Sequence, residues 1–208
     1  MPYHSSKLFL RRYKIILLFC FLGLFISIIA SFAQPFQYAS TIRLLVLQDV
    51  VAVDAYTASR SVERLAENFS TIIFTTAFFD DVLNAGFDID KGYFPSREDR
   101  KRKTWGRMVS ATVSRGTGLL TIRVYHPNVL QAEQIASAII YVLERDVNIY
   151  APGSQASIRL ADAALNSRWP MKPNFLANGV SGLVLGGLIG VGYISLQAER
   201  IKRRHQVG

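Results

Sequence analysis

The side chains able to do chemistry are few and scattered. The three histidines, His4, His126 and His205, stand far apart. A nucleophile needs a base within hydrogen-bond reach, and a metal needs several converging ligands. No GxxxxGK[ST] phosphate loop, HExxH zinc helix or GxSxG nucleophile turn occurs. The single cysteine, Cys20, falls inside an uncharged apolar run, which leaves neither a thiolate metal site nor a disulfide. Acids pair at Asp80-Asp81 and at Asp88 and Asp90. Beside helix ends and turns such acids read first as caps. Asn68-Phe69-Ser70 matches a glycosylation acceptor, but it lies in a helical pattern. These residues predict a protein that is not an enzyme, with no cofactor and no metal.

Two other patterns carry physical meaning. Arg97, Arg100, Lys101, Arg102, Lys103 and Arg107 gather in one short stretch, against only Glu98 and Asp99. Of these, Arg100, Lys101, Arg102 and Lys103 are the candidates for contact with an anionic glycan or a lipid phosphate. The competing reading is a solvated helix face. Gly182, Gly186 and Gly190 recur every four residues. Small residues at that spacing leave a flat helical stripe that another helix can approach closely. That helix belongs either to a second copy of the chain or to the first apolar run of the same chain.

Both apolar runs lie near the ends. Residues 15–33, IILLFCFLGLFISIIASFA, and residues 175–196, FLANGVSGLVLGGLIGVGYISL, contain no charge. At about 1.5 Å per residue they reach roughly 28 and 33 Å, close to the ~30 Å of a bilayer's hydrocarbon core. Lys7, Arg11, Arg12 and Lys14 precede the first run without an acid. Arg200, Lys202, Arg203 and Arg204 follow the second against Glu199 alone. Most of the formal charge of +9 therefore flanks the spans. Short basic flanks stay in the cytoplasm. The pattern predicts a cytoplasmic segment 1–14, a transmembrane helix 15–33, an extracytoplasmic domain 34–174, a second span 175–196 and a cytoplasmic tail 197–208. It does not predict nucleic-acid binding. A cleaved secretory signal ending at Ser31-Phe32-Ala33 is the competing reading of the first run, which is longer than the ~7–15 apolar residues of such signals.

The intervening sequence predicts one α+β domain. Residues 38–47 are rich in β-branched and aromatic residues and read as a strand. Val62, Leu65, Phe69, Ile72 and Ile73 recur at helical spacing, which predicts a helix from Asp54 to about Phe74. Thr75-Thr76 precedes a short helix, 77–85, closed by Gly86. Ser96 with Asp99 resembles a capping box that opens a helix ending near Gly106. Residues 108–115 and 119–125 alternate around Gly116-Thr117-Gly118 and predict an antiparallel hairpin. His126-Pro127-Asn128 opens a long helix to about Tyr150, which Pro152-Gly153 ends. Residues 157–161 read as a last strand. Trp169 then sits where an interfacial anchor belongs, and Pro170 and Pro173 stiffen the approach to the second span.

This assembly resembles the Wzz-type chain-length determinants, the polysaccharide co-polymerases of bacterial O-antigen, capsule and exopolysaccharide pathways. The hairpin and helix LLTIRVYHPNVLQAEQIASAIIYVLERDV, the WPMKP segment and the glycine-rich second span carry the resemblance. Pro170 and Pro173 match the family's proline segment, and Gly182, Gly186 and Gly190 its second-span glycines. Residues 164–168 hold no proline where the family commonly has one. The resemblance implies a homo-oligomeric ring in the bacterial inner membrane, in contact with lipid. The ring would act on a partner polymerase and export machinery. The layout is that of the short adaptor-like members, which work with a separate cytoplasmic tyrosine kinase. The alternative from another class is a two-span sensory or adaptor protein with an extracytoplasmic ligand-binding domain.

Overall fold

The structure is a computed structural model that describes residues 13–49 and 54–206, with side chains as far as Gln197. The chain divides into two compact units. One is helical and drawn from both ends of the chain, and the other is the mixed unit Phe36–Met171. His4, Lys7, Arg11 and Arg12 lie outside the described residues.

The mixed unit is built on β1 (Tyr38–Gln48), which pairs on both sides. The four strands run in the order β2 (Val109–Ser114), β3 (Leu119–His126), β1, β4 (Ala156–Asn166), and all pairs are antiparallel. Alternation sends Ile42, Leu44 and Val46 of β1 and Leu120, Ile122 and Val124 of β3 to one face, where all six are fully buried. Two helices cover this face. α2 (Ala55–Ile72) contributes Ala66 and Phe69, and α5 (Val129–Arg145) contributes Ile135, Ala138, Ile139 and Val142. Each large side chain so buried stabilises the fold by about 1.5–3 kcal/mol. The opposite face carries Thr41, Arg43 and Arg123, none of them buried.

Local signals set most boundaries. Asp54 caps α2, accepting from the backbone N–H of Tyr56 at 3.0 Å and of Thr57 at 3.1 Å. The Thr57 hydroxyl also donates to it at 2.7 Å, and these bonds hold the carboxyl below its usual range. Thr75 caps α3 (Thr76–Leu83), and Gly86 follows at φ +85°. Gly116 and Gly118 both take positive φ in the β2–β3 turn.

Three expectations are corrected. The helix after Ser96, α4 (Glu98–Met108), has Arg97 at its cap position with no side-chain cap bond. Asp99 does not reach back to Ser96, because its carboxylate is taken by Arg97 at 3.0 and 3.1 Å. The helix also runs past Gly106, since Trp105 and Met108 are buried on its inner side. The long helix from residue 129 does not continue to Tyr150. It breaks at Asp146, a nearly buried acid gripped by Arg145 at 2.6 and 2.8 Å, and resumes as the single turn α6 (Val147–Tyr150). Finally, β4 is twice the expected length. It follows β1 as far as Ser40↔Asn166, with register shifts around Arg43, where Arg43 meets Asp162 at 3.1 Å.

The helical unit consists of α1 (Tyr13–Phe32) and α7 (Phe175–Gln206). Two segments, Tyr13–Phe32 and Phe175–Gln197, are long and apolar enough to cross a membrane. Leu18, Phe21, Leu176 and Leu188 are more than 60% exposed, an apolar surface that a helix pair in water would bury.

Candidate functional site

The glycine stripe is where α1 and α7 meet. A Cβ on Gly186 would strike the Phe19 carbonyl oxygen, and one on Gly182 would strike Ser27 and the Gly23 carbonyl. At Gly190 it would lie 3.1 Å from the Ile16 Cα. On the facing helix, a Cβ on Gly23 would strike the Gly182 carbonyl. The absent side chains let the two backbones touch, which is the close approach that dispersion requires. Phe19 and Tyr193 add a ring contact at 5.6 Å, and Phe32 and Phe175 one at 5.1 Å. A polar clasp joins the same helices. The Ser27 hydroxyl donates to the Asn178 carbonyl at 2.5 Å, and the Asn178 amide donates to the Ser31 hydroxyl at 2.9 Å. Of the two uses open to Gly182, Gly186 and Gly190, packing against the chain's own first apolar run is the one this structure contains. An apolar groove of about 410 Å³ runs beside the stripe, lined in part by Leu22, Ile26, Leu185 and Ile189.

The proline segment is divided in its burial. Trp169 is 75% exposed, Pro170 is half-buried and Pro173 is buried. The Met171 N–H donates to the Gln37 carbonyl at 2.8 Å.

The basic cluster separates into two kinds of residue. Lys101 is drawn to Glu98 at 2.7 Å, a bond that raises its pKa, and Arg102 donates to the Thr76 hydroxyl at 2.6 Å. Arg100 and Lys103 are exposed and have no side-chain partner among the described residues. They sit three apart on one helix face, so any contact with an anion through α4 falls chiefly to this pair.

Several other titratable residues make local structural contacts. The His126 Nδ1 lies 3.0 Å from the Asn128 N–H and 3.1 Å from the Asn128 carbonyl oxygen, to which it donates when protonated, and the ring packs at a tilt against Tyr93 at 4.4 Å. Burial pushes its pKa down, opposed by the bond to the Asn128 carbonyl and by the Asp90 charge. Asp90 caps a 3₁₀ turn, Lys91–Tyr93. Asp81 accepts from the Tyr150 hydroxyl at 3.0 Å; burial, with this bond, pushes that phenol up to about 12. Among the described residues, no group of three or more His, Cys, Asp or Glu is placed to hold a metal ion.

One cluster escaped the sequence. Tyr56, Arg60, Glu63 and Glu67 of α2 come together with Arg115 of the β2–β3 turn around a polar hollow. Only helical spacing tied the first four together, and nothing in the sequence brought Arg115, some sixty positions on, beside them. No protein-family model matches the chain, and no curated protein matches it significantly.

Proposed function

We propose that this protein is a non-enzymatic membrane scaffold that regulates the polymerisation, chain length or export of a bacterial surface polysaccharide. The observation that carries the reading is the pairing of two apolar helices from opposite ends of the chain along a glycine stripe, with a single α+β unit between them in sequence. Two helices that pair in this way enter the same bilayer. A chain that crosses twice returns both ends to one side, and the basic flanks favour the cytoplasmic side of the bacterial plasma membrane. The mixed unit then faces the extracytoplasmic space, where such polymers are assembled.

In this reading the bond-making chemistry belongs to a partner polymerase. The protein contributes an oligomer, in ring form by resemblance, that holds the partner and the growing chain. Since the glycine stripe is filled by α1, contacts between copies use the outward faces of the helices and the mixed unit. A separate cytoplasmic tyrosine kinase is a further proposed partner.

The test is deletion of the gene followed by electrophoretic sizing of the surface polysaccharide. The expected result is a changed length distribution or a loss of the long polymer, restored by the wild-type gene. An unaltered distribution would overturn the reading.

A further inference from the structure

The strongest unassigned feature of the mixed unit is the hollow on the exposed side of α2. Tyr56, Arg60, Glu63 and Glu67 fall at helical spacing along one face and form a ridge. Two hollows, of about 570 and 720 Å³, share this ridge. Arg64 lines the first and Arg115 the second. Both volumes lie within the ~300–1,000 Å³ of small-molecule sites.

The ridge is pre-arranged. The Arg60 guanidinium lies 5.8 Å from the centre of the Tyr56 ring. Its Nη1 donates to Glu63 at 3.3 Å, and its Nε faces the Tyr56 hydroxyl at 3.4 Å. Glu63 is only 8% exposed, so this pair is anchored at the carboxylate end. Five N–H donors belong to a guanidinium, and several of Arg60's are left over after these bonds. The turn that carries Arg115 is held in place. The Ser59 hydroxyl donates to the Gly116 carbonyl at 3.1 Å, and Gly118, at φ +63°, leaves no room for a Cβ against Val62 and the Val46 carbonyl. Tyr56 itself is 71% exposed.

This mixture of groups selects among ligands. A phosphate group takes donors alone and offers none to the carboxylates of Glu63 and Glu67, which it would leave unsatisfied. A sugar ring presents an apolar C–H face that can lie on an aromatic ring, and a belt of hydroxyls that both donate and accept. Arginine supplies only donors and glutamate only acceptors, so together they match that belt. In this hollow Glu63 is already tied to Arg60, whereas the Arg115 side chain has no partner among the described residues, and a guanidinium binds a carboxylate through two parallel hydrogen bonds. We propose that the hollow around Tyr56, Arg60 and Arg115 binds a sugar ring that carries a carboxylate, a uronate unit of an acidic glycan. The proposal rests on the polysaccharide reading above and names the ligand chemistry that this reading leaves open. The ring stacks on the free face of Tyr56, Arg60 or Arg115 takes the carboxylate, and Glu67 accepts from a hydroxyl.

The test titrates the full-length protein, in detergent micelles, with a linear oligouronate and with a neutral malto-oligosaccharide of the same length, followed by calorimetry. The wild type should bind the oligouronate more tightly than the neutral chain, and more weakly as salt rises. Tyr56→Ala should weaken binding of the oligouronate about tenfold. Tyr56→Phe, which keeps the ring, should bind as the wild type does. Arg60→Gln and Arg115→Gln should lower affinity for the oligouronate more than for the neutral chain, the larger difference marking the guanidinium that holds the carboxylate. Tyr56 and Arg115 are exposed, so folding of their variants can be checked by an unchanged thermal midpoint. Absence of wild-type binding, or full binding by Tyr56→Ala, would overturn the site. Displacement of the oligouronate by an equal concentration of inorganic phosphate would overturn the sugar assignment. The gene deletion is read independently: unaltered polysaccharide with intact binding sinks the regulatory role, and a changed polymer without binding sinks the site.

Discussion

Single residues hold the mixed unit together in ways the chain's chemistry makes testable. The Trp105 indole N–H donates to the Ile73 carbonyl at 2.7 Å inside the core, tying α4 to the end of α2. Its ring also packs edge-on against Phe79 at 5.1 Å. Trp105→Phe keeps much of the apolar volume and strands the carbonyl. It should cost about 1–3 kcal/mol, seen as a lower urea midpoint at unchanged slope. Trp105→Ala adds a cavity and should cost about 3–5 kcal/mol. An equal midpoint in Trp105→Phe and the wild type would mean the indole bond contributes nothing. His126 gives a pH signature with a definite sign. Burial lowers its folded pKa below the ordinary ~6.5, so the unfolded chain takes the proton more readily. Its contribution to stability is therefore present above about pH 6.5 and declines as pH falls through that value towards the folded pKa. The bond to the Asn128 carbonyl and the Asp90 charge oppose the shift. Denaturation midpoints followed from pH 7.5 to 5 should fall less in His126→Gln than in the wild type. Parallel curves would remove His126 from the account.

At the scale of elements, the helix pair offers the sharpest measurement. A Cβ built on Gly187 lies 3.1 Å from the Cys20 sulfur, the separation expected across a disulfide between the two helices. Gly187→Cys, oxidised in membranes, should close an intramolecular bond that speeds migration on a non-reducing gel. A covalent dimer instead would mean that the stripe faces a second copy, as one reading of the sequence allowed. Adding Gly186→Leu, which drives bulk onto the Phe19 carbonyl, should abolish the bond. A leucine at Gly192, where a Cβ meets nothing, should leave it intact. The two meanings of the stripe could not be separated in sequence, because small residues every four positions describe a surface and not its occupant. Strands were the most legible elements. Residues 38–47 are rich in β-branched and aromatic residues, and residues 108–115 and 119–125 alternate as the pleat requires. Failures came where tertiary contacts overrode local signals. Ser96 offered a cap, yet Arg97 captured the Asp99 that would have completed it. The apolar period ran through Asp146, yet the backbone leaves helical geometry there, at φ −106° and ψ 16°, with the carboxylate buried and held by Arg145. β4 was seen only over 157–161, because beyond Ile158 nearly every residue is exposed and the strand is held by backbone pairing to β1.

For the molecule as a whole, two apolar stretches and a mixed domain were plain from composition, because charge-free runs of this length are rare in water-soluble folds. The hollow around Tyr56 was not legible, since it depends on a turn and a helix that only the folded sheet brings together. Orientation rests on the basic residues Lys7, Arg11 and Arg12 before α1, on Lys14 in its first turn, and on Arg200, Lys202, Arg203 and Arg204 near the end of α7. Loops rich in lysine and arginine resist translocation, and acids count little in that balance. A reporter enzyme that folds only outside the membrane, fused after Asp90, should therefore be active, and one fused after Gly208 should be silent. A cytoplasmic reporter at the same two positions should give the reverse. Activity outside at both sites would mean that the C-terminal basic residues cross and α7 does not span. A cleaved signal ending at Ala33 makes a separate forecast. It would release α1, shorten the mature protein by residues 1–33 and remove Cys20, so the Cys20–Gly187→Cys bond could not form. An uncleaved chain that forms the bond, with Asp90 outside and Gly208 inside, meets every requirement of the two-span reading. An active fusion after Gly208 overturns it, however well the helices pack.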